Sequence, residues 1–196
     1  IGSTSALVSL INGFFIGLST GATVILSQFF GANDRTGTHD ALHTGISLSL
    51  ILGLLTSVLG FTSAPWVLTL TQTPESCYAD AALYVRIYFI GAIASMVYNM
   101  GAGILRAMGD SKRPLYFLAV TCLVNVGLDL LFVAVLDMGV AGAALATVLS
   151  QVISATMVIT ALCFQRNGVR LSPKKLRLDS RLLRRILRIG IPAGLQ

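Results

Sequence analysis

The chain has 196 residues, 55% of them hydrophobic and only 11% charged, with a formal net charge of +6 and a mean hydropathy of +0.81. A soluble domain carries about a quarter of its residues as charges, so the composition excludes one and predicts an all-α, polytopic membrane helix bundle. Net positive charge would suggest nucleic acid in a soluble protein, but here the charges sit between apolar runs, which excludes that partner and makes membrane lipids the expected surroundings.

In chain order, the first predicted span covers residues 3–30. Ser5, Ser9, Gly13, Gly17 and Gly21 recur at every fourth position, a stripe of small residues that lets two membrane helices approach closely. Asn12, Ser19, Thr20, Thr23, Ser27 and Gln28 lie off that stripe, where they either line an aqueous path or bond neighbouring backbone. A polar turn over residues 31–40 leads to a second span, 41–63, with its own small stripe of Gly45, Ser49, Gly53 and Ser57. His39 and His43 are one turn apart, which is metal-ligand spacing. No third ligand is evident, and they read as interfacial polar residues. Pro65 and Trp66 mark the far interface.

The loop 71–80 holds acids and no Lys or Arg. The third span, 82–104, contains Arg86 near its outer end, where it can snorkel to the headgroups. Deeper lies Asn99, spaced by fours from Gly91 and Ser95, which either faces a cavity or bonds another helix. A compact basic turn, Arg106-Ala-Met-Gly-Asp-Ser-Lys-Arg-Pro114, follows. The three cysteines, Cys77, Cys122 and Cys163, fall in separate segments without metal-ligand spacing, so neither a disulfide framework nor a zinc site is expected.

The fourth span, 114–136, carries the costliest group in the chain. Its centre reads Thr121-Cys-Leu-Val-Asn125-Val-Gly-Leu-Asp129, which puts Asn125 and Asp129 one turn apart on a single helix face, extended by Thr121. Leu118, Val124, Leu128 and Leu131 are expected to surround them. A carboxylate at membrane depth costs ~2.5–3.5 kcal/mol on insertion scales, and such groups by default bind or carry something. The alternative is that Asp129 only hydrogen-bonds a neighbouring helix.

After the short loop 137–139 comes a fifth span, 140–164, with a small stripe of Gly142, Ala146, Ser150 and Ser154. Ala143, Thr147 and Gln151 form a line beside it. So short a loop makes the fourth and fifth spans antiparallel neighbours. At 1.5 Å per residue, Thr147 and Asp129 then lie at similar depth. Residues 166–175 form a basic linker, and Asp179 or Ser180 can cap a helix beginning at Arg181. Arg181, Arg184, Arg185 and Arg188 share a face of it, with Leu183, Ile186 and Leu187 elsewhere around the helix. That pattern fits either a helix at an anionic membrane surface or a linker whose charge only fixes topology.

All Lys and Arg except Arg86 fall after the first span, after the third, or in the final linker, and the two opposite loops have none. The positive-inside rule makes those three connections cytoplasmic. The first span then enters from outside, and the chain is expected to be a fragment: five complete spans and the beginning of a sixth.

Several short runs point to one family. Ser27-Gln-Phe-Phe-Gly-Ala32, Tyr84-Val-Arg-Ile87, Leu105-Arg-Ala-Met-Gly-Asp110 with Pro114, Asn125 with Asp129, Gly139-Val-Ala-Gly-Ala-Ala144 with Ala146-Thr147, and Gly190-Ile-Pro-Ala-Gly194 together resemble the multidrug and toxic compound extrusion (MATE) family. The resemblance implies helices two to six of an N-terminal lobe over residues 1–165, an inter-lobe linker over 166–188, and the start of a C-terminal lobe over 189–196. A first helix and the rest of the C-terminal lobe are then the missing partners. It implies export of small-molecule organic cations in exchange for Na+ or H+ by alternating access, in a membrane such as the bacterial cytoplasmic membrane, with no enzymatic activity and no cofactor.

On the same resemblance Asn125, Asp129 and Thr147 form the cation site, binding sodium if that is the coupling ion, together with an Asp on the missing first helix. Asn99, Gln151 and Thr121 are the candidate cavity-lining residues. Carboxylate, amide and hydroxyl oxygens suit a hard cation, and a desolvated carboxylate is equally suited to take up a proton. Two other readings compete. A lipid-linked saccharide flippase of related fold would want more basic residues within the spans. A membrane-embedded enzyme using Asp129 would want a second acid at membrane depth. A structural subunit would leave the polar residues at matching depth unexplained.

Overall fold

The computed structural model describes residues 2–70, 75–165 and 169–194, without the side chains of residues 2–12, 14, 67, 70, 75–77 and 175. The side chains of Ser5, Ser9, Asn12 and Cys77 thus lie outside the described residues. Among the described residues there is no strand. Helix α1 (Gly2–Gly31) is followed by α2 (Arg35–Leu70), α3 (Glu75–Ile90), α4 (Ala92–Ala107), α5 (Lys112–Asp129), a π-helix (Leu130–Val135), α6 (Gly139–Cys163) and α7 (Ser180–Gly194). Among the described residues four stretches are long and apolar enough to cross a bilayer: Arg35–Trp66, Tyr78–Ala107, Lys112–Val135 and Gly139–Cys163. The described apolar part of α1, Phe15–Gly31, is shorter than these four, where the sequence predicts five complete spans.

Three boundaries differ from expectation. The polar turn shrinks to residues 32–34, because the Asp34 carboxylate accepts the Gly37 amide (2.9 Å) and caps α2, so residues 35–40 are already helical. Asn33 takes the left-handed conformation (φ 59°) that makes the turn, one this residue type tolerates. At the far end α2 runs through Pro65 to Leu70, beyond the predicted stop. The third span is broken at Gly91, whose amide reaches the carbonyls of Tyr88 (3.0 Å) and Ile87 (3.4 Å) where α3 hands over to α4.

Small residues decide where helices meet, as packing in a bilayer is governed by van der Waals fit. Gly142, Ala146, Ser150 and Ser154 are all buried on α6. Gly17 and Gly21 of α1 face Gly190 of α7 so closely that a Cβ on Gly21 would lie 2.5 Å from the Ile186 carbonyl oxygen and 2.8 Å from the Gly190 nitrogen. Gly53 of α2 is equally tight, with a Cβ there 2.8 Å from the Ile93 Cα. The core between α1, α2, α4 and α6 holds Leu26, Leu42, Ile46, Met100, Ile104, Leu105 and Leu162.

By contrast α5 buries only Pro114. Leu118 and Leu131, expected around the polar face, are 57% and 43% exposed and point away from the bundle, whereas Val124 and Leu128 are half-buried. Arg86 is exposed, with its guanidinium over the Phe61 ring at 5.5 Å.

The basic connections gather at one end of the bundle. Arg113 pairs with Asp110 (3.1 Å) and donates to the Gln165 Oε1 (2.8 Å), while Arg177 pairs with Asp40. At α7 the Asp179 carboxylate accepts the Arg181 and Leu182 amides (2.8 and 3.2 Å), the expected cap. The basic segment and the apolar end form one helix with no break at residue 188. It lies along α1, burying Leu182, Ile186 and Gly190, with Arg185 over the Phe29 ring (5.7 Å).

His43 is fully buried within the chain, which its reading as an interfacial polar residue did not anticipate. Its Nδ1 lies 2.8 Å from the His39 carbonyl oxygen, and its Nε2 accepts the Ser172 amide (3.1 Å) from the segment that precedes α7. Among the described residues no three His, Cys, Asp or Glu side chains group to hold a metal ion.

Candidate functional site

Asn125 and Asp129 occupy the half-buried face of α5, the face turned to α6. Four buried side-chain polar atoms among the described residues have no hydrogen-bond partner: Asn125 Nδ2, Asp129 Oδ1, Gln151 Oε1 and Ser47 Oγ. An unsatisfied buried polar atom costs about 1–3 kcal/mol, more if charged. Three of the four belong to the pair of antiparallel helices α5 and α6. Measured in residues from the turn between these helices, Asn125 and Gln151 are each about 13 positions away and Asp129 and Thr147 about 9, so the side chains pair by depth.

The backbone changes character at Asp129. It is the last α-helical residue of α5, and the next turns are a π-helix in which the Leu136 amide bonds the Leu131 carbonyl at 2.9 Å. Such widened turns recur at functional sites, because an inserted residue re-aims the side chains around it. Nothing in the sequence announced it.

The other predicted residues divide. The hydroxyl of Thr147 donates to the Ala143 carbonyl (3.0 Å) and that of Thr121 to the Phe117 carbonyl (2.7 Å), so both protons stay on their own helices and only the oxygen lone pairs remain for a ligand. Asn99 is not part of this group. Its Nδ2 donates to the Ser95 carbonyl (2.9 Å), and it lines a separate cavity of about 150 Å³ with Ile16, Ser19, Thr20, Thr23 and Arg106.

Two residues beside the site were not singled out for it by sequence reasoning. Tyr84 lies on α3, which packs on α6, and its ring stacks with that of Tyr88 (centroids 6.1 Å apart). Gly91 supports Gln151: a Cβ there would lie 2.7 Å from Gln151 Oε1 and 2.9 Å from Val148 Cγ2. Tyr84 and Tyr88 share one face of α3, and that spacing was the available signal. Gly91→Ala is expected to destabilise by about 1–3 kcal/mol through overpacking. Because the obstacle is a side chain, the added change Gln151→Ala is expected to recover part of the loss, a coupling that thermal unfolding of the four members of the cycle measures.

A protein-family model described as MatE matches residues 1–131, which include Asn125 and Asp129. The chain belongs to the MatE family. Among the relatives of this MatE chain, the Probable multidrug resistance protein YpnP of Bacillus subtilis is 35% identical over 193 residues, covering 98% of the chain and 43% of the relative. The Probable multidrug resistance protein NorM of Thermotoga maritima is 23% identical over 200 residues, covering 100% of the chain and 43% of that protein. Solved structures agree. An inward-facing MATE family transporter superposes with a TM-score of 0.89 at 28% identity, covering 96% of this chain and 43% of the other. An outward-facing one gives 0.89 at 28% identity, covering 100% and 44%. The MatE chain thus spans less than half the length of the relatives it matches and is an integral membrane, all-α bundle of a multidrug transporter family.

Proposed function

We propose that this MatE chain is the N-terminal lobe of a secondary antiporter that exports organic cations in exchange for Na+ or H+ by alternating access. Residues 1–165 supply the lobe helices, 166–188 the inter-lobe linker and 189–196 the start of the second lobe. The observation that carries the reading is the group of unpartnered polar atoms on Asn125, Asp129 and Gln151. Asp129 Oδ1 and Gln151 Oε1, acceptors held in an apolar bundle, are relieved by a small hard cation or a proton, and the free Asn125 Nδ2 leaves that carboxamide able to turn its oxygen to the same ion; these atoms have no other partner within the described residues.

In the outward-open state Asp129 takes up the coupling cation. Its charge is then balanced or lost, and a cationic compound attracted by the same carboxylate is released. Asn125 and Gln151 supply neutral oxygens beside it, and Thr147 adds lone pairs at the depth of Asp129. The equal fit of this lobe to inward-facing and outward-facing relatives, at a TM-score of 0.89 for both, supports a lobe that moves as a unit while the access path changes around it. The basic end faces the cytoplasm on the positive-inside rule, in a bacterial cytoplasmic membrane, and the protein does no covalent chemistry.

The test uses the complete transporter in proteoliposomes, with efflux of a cationic dye measured under a sodium gradient at equal pH and under a pH gradient without sodium. At least one gradient drives efflux if the reading is right. Efflux that responds to neither gradient removes it.

A further inference from the structure

We propose that His43 is a pH-sensitive latch that holds the linker segment 169–179 against the basic end of the bundle. The segment is strapped down along its length. Val169 and Leu171 are buried, at 3% and 5% exposure, and the Leu171 amide bonds the Leu162 carbonyl at the end of α6 (3.1 Å). Arg170 Nε donates to the Gln165 carbonyl (3.0 Å). Three contacts then reach one face of the first turns of α2: the Ser172 amide to His43, Arg177 to Asp40, and the Asp179 amide to the Thr44 hydroxyl (3.3 Å). Two of these hold whatever the pH in the range of interest. The imidazole contact does not.

The two ring nitrogens of His43 have opposite roles. Nδ1 faces a carbonyl oxygen and must donate, while Nε2 faces an amide N–H and must accept. Only one neutral tautomer satisfies both. A second proton would sit on Nε2, directed at the Ser172 N–H with no acceptor in front of it. The ring is fully buried, so no water can take over the bond without the strap lifting.

The titratable and charged groups that act on the ring are His39 and Asp40, both on α2. From the strap, Arg177 reaches the ring only through its pairing with Asp40. Of the helices packed on α2, which are α1, α3, α4 and α7, none supplies a charged group that acts on the ring among the described residues. The His39 ring lies tilted against that of His43, with centroids 4.0 Å apart, and Asp40 is already engaged by Arg177.

The latched form takes only neutral His43, whereas the released form titrates as a histidine in water. The strap is therefore fully held above the pKa of the released imidazole and loosens as pH falls through it. With a released pKa of ~6.5, going from about pH 8 to about pH 5.5 weakens the latch roughly tenfold. Through the strap, cytoplasmic acidity would set how firmly α7, the first helix beyond the linker, is tied to the lobe.

Hydrogen exchange on the complete transporter in lipid nanodiscs tests this, followed at the amides of residues 169–172 and corrected for the intrinsic effect of pH on exchange. In the unmodified protein protection is expected to fall roughly tenfold between about pH 8 and about pH 5.5, while amides in the middle of α4 stay protected. In His43→Gln, whose side chain does not titrate, protection is expected to be independent of pH, and in His39→Gln the dependence is expected to persist. Protection in the unmodified protein that does not change with pH overturns the proposal, with no variant required. A dependence that survives in His43→Gln, or that is abolished only in His39→Gln, overturns it as well.

Discussion

Asp129→Asn, introduced into the complete transporter, is expected to reduce gradient-driven export at least tenfold while leaving the protein inserted and folded. The substitution keeps the shape of the side chain and removes its charge and its capacity to titrate. Insertion scales put the cost of a central carboxylate at ~2.5–3.5 kcal/mol, so the variant should be as stable as the original or more so. That opposite movement of stability and function separates a transport role from a structural one. A residue that merely tied α5 to a neighbour would lose stability when changed, and Asp129 Oδ1 makes no hydrogen bond to lose. Asn125→Ala tests the same site more gently. It removes a neutral group one turn deeper and should weaken export by a smaller factor than Asp129→Asn. Export by Asp129→Asn at the original rate would return the carboxylate to an unexplained cost.

Gly21→Val is expected to produce a large loss of stability. The branched side chain would enter space already filled by the Ile186 carbonyl and the Gly190 backbone of α7, at 2.5 and 2.8 Å from its Cβ. Overpacking of a core costs about 1–3 kcal/mol where side chains can give way; here the obstacle is backbone, so the upper part of that range or beyond is expected. The measurement is thermal unfolding of the purified transporter. Gly31→Ala and Gly127→Ala are the controls, because a Cβ at either position meets nothing within 4 Å. A midpoint for Gly21→Val within the range of those controls would mean that α7 does not seat on α1 as described.

How much of this was legible in the sequence depended on whether the signal was local. The carboxylate and the amide of Asp129 and Asn125 stand out because they interrupt an apolar run, and their spacing by four places them on one helix face. The stripe of Gly17 and Gly21 was legible for the same reason, although its partner on α7 was not. The burial of His43 was not legible because what buries it lies far along the chain: its Nε2 partner, Ser172, is 129 residues away. The apolar surroundings assigned to Leu118 and Leu131 failed for a reason particular to membranes. Lipid-facing and bundle-facing positions are equally apolar, so no hydrophobic face tells them apart. The break at Gly91 looked like one more membrane-helix glycine, and the π-helix after Asp129 leaves no mark in residue type.

The central claim is that Asp129 itself carries the coupling cation. The most direct measurement is ion exchange on the purified complete transporter in weak buffer, counting protons released, and radioactive sodium displaced, when a saturating organic cation is added. Release of at least one proton or sodium ion per transporter, reduced in Asp129→Asn, is the result this account predicts. Unchanged release in Asp129→Asn would contradict it.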